Sequence, residues 1–125
     1  MRNFLLLSFA APFLLIADEP EIPRWRATGA LSTPRARACA VRLPSDRVWV
    51  LGGQDLSGPL ATTEFYTPDG IFTPGPPLAN PRAGHSCHVL RDGRVLVWGG
   101  DANEFRTAAI YDPPTERWTE VSDLG

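Results

Sequence analysis

The sequence predicts an all-β fold of two four-stranded antiparallel sheets packed face to face. Three observations predict it. First, a pattern recurs: residues 80–100 (NPRAGHSCHVLRDGRVLVWGG) repeat the plan of residues 34–53, 47 positions earlier. Second, Val95-Leu96-Val97-Trp98 and Val48-Trp49-Val50-Leu51 are apolar without alternation. A strand with one wet face alternates, so these must be covered on both faces. Third, 13 Pro and 11 Gly in 125 residues make turns frequent and long helices improbable.

The repeat is legible in columns. Trp25, Phe72 and Trp118 are spaced 47 and 46 apart, as are Leu31, Leu78 and Leu124. Pro34-Arg35 matches Pro81-Arg82, and Gly52-Gly53 matches Gly99-Gly100. Tyr66-Thr67-Pro68 matches Tyr111-Asp112-Pro113 after a two-residue deletion. A period of this length points to a propeller or a similar stacked array.

Four strands are expected per repeat. In the first copy they fall at residues 37–43, 47–51, 62–66 and 70–73. In the second they fall at 85–90, 94–98, 107–111 and 117–121. Asp92-Gly93 is a hairpin signal between the first two strands of its copy, and Pro44-Ser45-Asp46 makes the corresponding turn. In the last strand Glu116, Arg117, Thr119 and Glu120 surround Trp118. That suits an outer edge strand, where charge discourages edge-to-edge pairing. Residues 24–28 read as one more outer strand, belonging to a preceding sheet.

The N-terminus is different in kind. Arg2 precedes an apolar run at residues 4–16, broken by Ser8 and Pro12. It is shorter than the roughly 20 apolar residues of a membrane-spanning helix and suits a secretory signal peptide. The expected organisation is a signal peptide at 1–17, a linker at 18–23 and the repeat region at 24–125. Within that region, 24–33 is the extra outer strand, 34–78 the first blade and 79–125 the second. A secreted or periplasmic location follows as an expectation, with no stable membrane span. A net charge of −2 argues against a nucleic-acid partner.

Pro-Arg, an apolar strand, Asp-Gly-Arg-Val-Leu-Val-Trp-Gly-Gly, then a Tyr and a Trp resemble kelch repeats, which are similar to those of the galactose-oxidase type β-propeller. The resemblance runs from Trp25 to Leu124. The second copy matches well. The first departs where Arg47 lacks a preceding Gly and Phe72 stands in place of the usual Trp. In closed rings of this family an early strand often completes the last blade. Here two blades are too few for a ring of about four to eight. A truncated or split gene product is the preferred explanation, and assembly of several chains the other. Either way one apolar blade face is exposed at each end, which invites self-association.

The double glycines are expected to let aromatic rings approach the backbone, with Tyr66, Tyr111, Phe72 and Trp118 as the natural rings. These residues are scaffold. His85-Ser86-Cys87-His88 superficially resembles a metal cluster. On a strand, however, His85 and His88 point to opposite faces, and His85 with Cys87 is too few ligands for a site. A copper-radical enzyme like galactose oxidase would need a Tyr–Cys cross-link and ligands from several blades. Tyr66 and Tyr111 are already committed to the scaffold. No catalytic residue, metal ligand or cofactor is therefore assigned.

Cys39 and Cys87 are offset by one on equivalent strands, so both face the seam between the blades or both face away. Stacked sheets lie about 10 Å apart and a disulfide needs Cα atoms within roughly 7 Å. Two separate thiols are the expectation. Residues 24–47 hold six Arg and one acid, Asp46, a possible basic patch for an acidic partner. The functional reading is an exported binding or interaction module without catalysis of its own. Its protein or glycan ligand would be read by the loops at 54–61 and 101–106. The alternative is part of a secreted carbohydrate-active or galactose-oxidase-like enzyme.

Overall fold

The computed structural model describes residues 21–100 and 107–122. The expected signal segment, half of the linker, the loop at 101–106 and Leu124 lie outside them. The described residues form β1 (Cys39–Arg42), β2 (Val48–Leu51), β3 (Gln54–Asp55), β4 (Gly58–Pro59), β5 (Thr63–Tyr66), β6 (Phe72–Gly75), β7 (Ser86–Val89), β8 (Val95–Trp98), β9 (Thr107–Asp112) and β10 (Arg117–Ser122). Two antiparallel sheets result, in the orders β1-β2-β5-β6 and β7-β8-β9-β10, with β3-β4 a separate hairpin. We call the four-stranded sheets blade 1 and blade 2.

Local chemistry repeats with the sequence. In the β1–β2 turn the Leu43 N–H donates to the Arg47 carbonyl at 2.8 Å, and in the β7–β8 turn Leu90 donates to Arg94 at 2.7 Å. Both turns need one residue with positive φ: Gly93 supplies it at 88° and Asp46 at 65°. Asp is among the side chains that tolerate this region, which is how the first copy makes the turn without a glycine.

Strand alternation and pairing register give each blade two faces. The back face of blade 1 carries Cys39, Val41, Trp49, Leu51 and Phe65; the front face of blade 2 carries Cys87, Val95, Val97 and Tyr111. These two faces pack together as the core, closed by Leu78. Trp49 is its centre, with ring centroids 4.9 Å from Tyr111, 5.2 Å from Phe65 and 5.8 Å from Trp118.

Three expectations are corrected. Cys39 and Cys87 are joined by a disulfide, with Cα atoms 6.1 Å apart. They lie on β1 and β7, the first strand of each blade, and these strands contact one another directly. The general 10 Å spacing of stacked sheets does not apply where blades converge toward a common axis. Residues 24–28 form no strand, and Trp25 is fully exposed. An extended segment becomes a strand only by pairing its backbone with another, and among the described residues this one pairs with no strand. Its contact with blade 1 includes a 2.7 Å hydrogen bond between the Thr28 and Tyr66 hydroxyls.

The third correction concerns the double glycines. The rings pack as Tyr66 with Phe72 at 4.9 Å and Tyr111 with Trp118 at 5.1 Å, away from these glycines. What approaches them is backbone, together with the His85 side chain at Gly52 and Gly100. A Cβ on Gly53 would lie 2.7 Å from the Ala36 carbonyl oxygen, and one on Gly100 2.6 Å from that of Ala83. The Pro-Arg segments thread past the ends of β2 and β8, and only glycine leaves room.

Candidate interaction surface

At one end of the blades the strands are joined by tight turns; at the other lie the double glycines, the Pro-Arg segments and the longer connections. Two buried arginines organise this second end. The Arg35 guanidinium donates through Nη1 to the carbonyls of Gly52 (2.7 Å) and Thr62 (2.8 Å), and through Nη2 to Thr62 Oγ1 (3.3 Å). Arg82 repeats the set: Nη1 donates to Gly99 O (2.8 Å) and Thr107 O (3.3 Å), Nη2 to Thr107 Oγ1 (3.0 Å). A planar fork suits this simultaneous grip on two strand ends. Sequence reading placed Arg35 among motif residues but did not find the grip, because its acceptors are mostly backbone carbonyls.

Arg35 also pairs with Glu64 at 2.9 Å, both side chains almost fully buried. Burial pushes the Glu64 carboxyl up, but hydrogen bonds from Ser32, the Thr33 N–H and Arg35 outweigh it, and the net effect holds it below its ordinary range. This pairing takes Arg35 out of the expected basic patch. Arg42 pairs with Asp46 in solvent, and the Arg47 guanidinium lies 4.1 Å above the Phe65 ring. The six arginines do not form one surface.

The His85–His88 stretch divides as alternation predicts. His88 is exposed and edges onto Trp98, centroids 6.0 Å apart. His85 is buried, its two ring nitrogens without hydrogen-bond partners. Burial lowers its pKa, and the nearby charge of Arg82 adds to this; the Leu51 carbonyl opposes them without completing a hydrogen bond. Cys87 is committed to the disulfide. Among the described residues no group of three or more His, Cys, Asp or Glu is placed to hold a metal ion.

The expected loop at 54–61 contains the β3–β4 hairpin. The hairpin is tied down by reciprocal Ala36–Gln54 backbone bonds of 2.9 and 2.8 Å and by Leu60 N–H to Gly53 O at 2.8 Å. Asp55 accepts from the Ser57 N–H at 2.8 Å, which shapes the tip. Leu56 stands fully exposed there. Between hairpin and Pro-Arg segment runs a shallow groove of about 400 Å³, lined by Pro34, Arg35, Ala36, Gln54, Asp55 and Leu56. The Arg37 guanidinium donates to Gln54 Oε1 at 3.3 Å. An apolar tip, a cation and an acid thus share one open edge. The companion loop at 101–106 lies outside the described residues.

A second cleft, of about 370 Å³, opens between the blades at the tight-turn end, beside Arg47, Phe65, Tyr111 and Glu116. Burial, then the charge of Glu116, raises the Tyr111 pKa, while Arg47 acts against them. Nothing in the sequence flagged this cleft, since it exists only where two turns from different blades meet.

No family model matches the chain. Over 86 residues it is 34% identical to the F-box/kelch-repeat protein SKIP30 of Arabidopsis thaliana, covering 64% of this chain and 24% of that protein. The chain therefore spans about a quarter of the length of this curated relative. Among solved structures it is similar to YjhT, with a TM-score of 0.66, 17% identity, and coverage of 80% of this chain and 42% of that one. It is also similar to a fungal alcohol oxidase of the AA5 family in complex with copper, with a TM-score of 0.56, 22% identity, and coverage of 66% and 18%. At these identities the two structures show the fold alone.

Proposed function

Since this chain is built of kelch-type repeats folded as neighbouring propeller blades, we propose that it is an exported interaction module that binds a protein or glycan ligand at its loop end, with no catalysis of its own. The observation that carries the reading is the β3–β4 hairpin, a rigidly tied projection with Leu56 exposed at its tip. A preformed apolar contact bordered by Arg37, Gln54 and Asp55 loses little entropy on binding. Two features support export: the apolar run at residues 4–16 and the Cys39–Cys87 bond, since disulfides persist in oxidising compartments. A catalytic reading, as part of a carbohydrate-active or galactose-oxidase-like enzyme, rests on fold analogy, which does not carry chemistry with it.

The test is a screen of the oxidised chain on a glycan array and on a panel of secreted proteins, repeated with Leu56→Asp. The expected result is binding that Leu56→Asp abolishes while thermal unfolding is unchanged. Binding indifferent to Leu56→Asp, no binding, or chemical turnover of a bound glycan would each overturn the proposal.

A further inference from the structure

Three departures from the repeat meet in the cleft between the blades at the tight-turn end. The first is at its cation. In blade 2, Arg94 pairs with Asp92 at 2.8 Å. The residue two before Arg47 is instead Ser45, which accepts from Arg47 Nε at 3.4 Å. Arg47 thus keeps a charge that no acid among the described residues pairs with, and it lies over Phe65 in the cleft wall. The second departure is at Tyr111. Its counterpart Tyr66 shares a 2.7 Å hydrogen bond with the Thr28 hydroxyl. The residue 47 positions after Thr28 is Gly75. It has no room for a side chain, since a Cβ there would lie 2.5 Å from Thr63 Oγ1 and 2.9 Å from Trp49 Nε1. Tyr111 is only 7% exposed, yet its hydroxyl has no hydrogen-bond partner among the described residues.

The third departure is at Glu116. Counted back from Trp118, it stands where blade 1 has Gly70, two residues before Phe72. It keeps that glycine's backbone, with φ of 56° against 86°, a conformation that strains a residue carrying a Cβ. A Cβ on Gly70 would lie 3.7 Å from the Tyr66 hydroxyl and 3.0 Å from Thr28 Oγ1. The Glu116 side chain therefore starts beside the Tyr111 hydroxyl, on the side that Thr28 fills in blade 1, and its charge is felt there. No ion pair joins it to Arg47. The cleft holds about 370 Å³ between these groups and apolar walls from Leu43, Phe65, Pro76 and Val95, a space suited to a small molecule.

From this convergence we infer that the cleft binds a free α-amino acid with an apolar side chain. Arg47 holds its carboxylate, Glu116 and the Tyr111 hydroxyl hold its ammonium, and the side chain lies on the apolar walls. A neutral ligand would leave both charges unanswered, and a simple anion or cation would leave one. Charged hydrogen bonds in a largely apolar pocket give both affinity and selection. The groups named belong to blades 1 and 2 and their turns, so the site is independent of the outer blade faces. It also lies at the opposite end from the hairpin.

Titration calorimetry of the oxidised chain with L-phenylalanine tests the inference. The comparison compounds are phenethylamine, which lacks the carboxylate, and hydrocinnamate, which lacks the ammonium. Phenylalanine should bind as a single molecule per chain, and each analogue about tenfold more weakly or worse, as for a lost charged hydrogen bond. Glu116→Gly and Arg47→Gln should each weaken phenylalanine by a similar factor. The selectivity should also split: Arg47→Gln should no longer prefer phenylalanine to phenethylamine, and Glu116→Gly should no longer prefer it to hydrocinnamate. General loosening of the fold would not give that pattern. Glu116→Gly restores the residue that blade 1 uses at this place and relieves the positive φ, so it keeps the test decisive if Arg47→Gln fails to fold. No binding of phenylalanine at millimolar concentration, equal affinity for the three compounds, or binding indifferent to Glu116→Gly would each overturn the inference.

Discussion

The two back faces of the blades are chemically alike and physically unlike. Trp49 and Leu51 are 1% and 0% exposed, whereas their counterparts Leu96 and Trp98 are part-buried and 48% exposed. Each pair sits mid-sheet, on an apolar strand between two neighbours. What separates them is a neighbouring blade: blade 1 has blade 2 behind it. Burial in a stacked array is a property of the interface and not of the repeat, so equivalent residues need not carry equal energy.

The largest expected effect sharpens this contrast. Trp49→Ala should cost about 3–5 kcal/mol, and Trp98→Ala less than about 1 kcal/mol, as for an accessible site. Urea denaturation of each variant, followed by circular dichroism on dilute chain, measures both. Equal losses would show that the back face of blade 2 is covered after all.

Next is the staple. It spans 48 residues, and loop-closure entropy alone gives about 4 kcal/mol for a loop of that length. Cys87→Ala, or reduction, should therefore lower stability by about 3–4 kcal/mol. A loss below about 1 kcal/mol would mean that the apolar seam fixes the two faces without it.

Acid should act more gently, and in two steps. His85 has a folded pKa below its ordinary 6.5. The unfolded chain then takes up the proton first, so stability declines as pH drops below about 6.5 and levels off once the folded ring also protonates. Glu64 has a folded pKa below its ordinary 4.5. Its contribution is intact above that value and disappears as pH falls through the folded value. Melting temperatures between pH 8 and 3 should show both declines. His85→Gln should remove the upper one and Glu64→Gln the lower. An upper decline that survives His85→Gln would assign it to another group.

The sequence by itself determined what depends on local periodicity. Val48–Leu51 and Val95–Trp98 were legible as strands from their apolar runs, but not as doubly covered ones: each buries one face, Trp49 and Leu51 in the first and Val95 and Val97 in the second. The turns at Asp46 and Gly93, the blade order, the opposite orientation of His85 and His88, and the shared orientation of Cys39 and Cys87 follow from spacing alone. Side-chain direction in a strand has a period of two, so a one-residue offset is readable without coordinates. Only the tertiary structure decided the distances between sheets. Whether two cysteines facing one seam can bond depends on how far the blades converge, which no residue encodes locally. The same holds for the fork of Arg35 on Gly52, Thr62 and Glu64, 17 to 29 residues away, and for the backbone that presses on Gly53 and Gly100. It holds too for residues 24–28, whose strand-like pattern finds no backbone partner among the described residues. Periodicity states which way a side chain points; what it meets there is settled by packing between segments far apart in the chain.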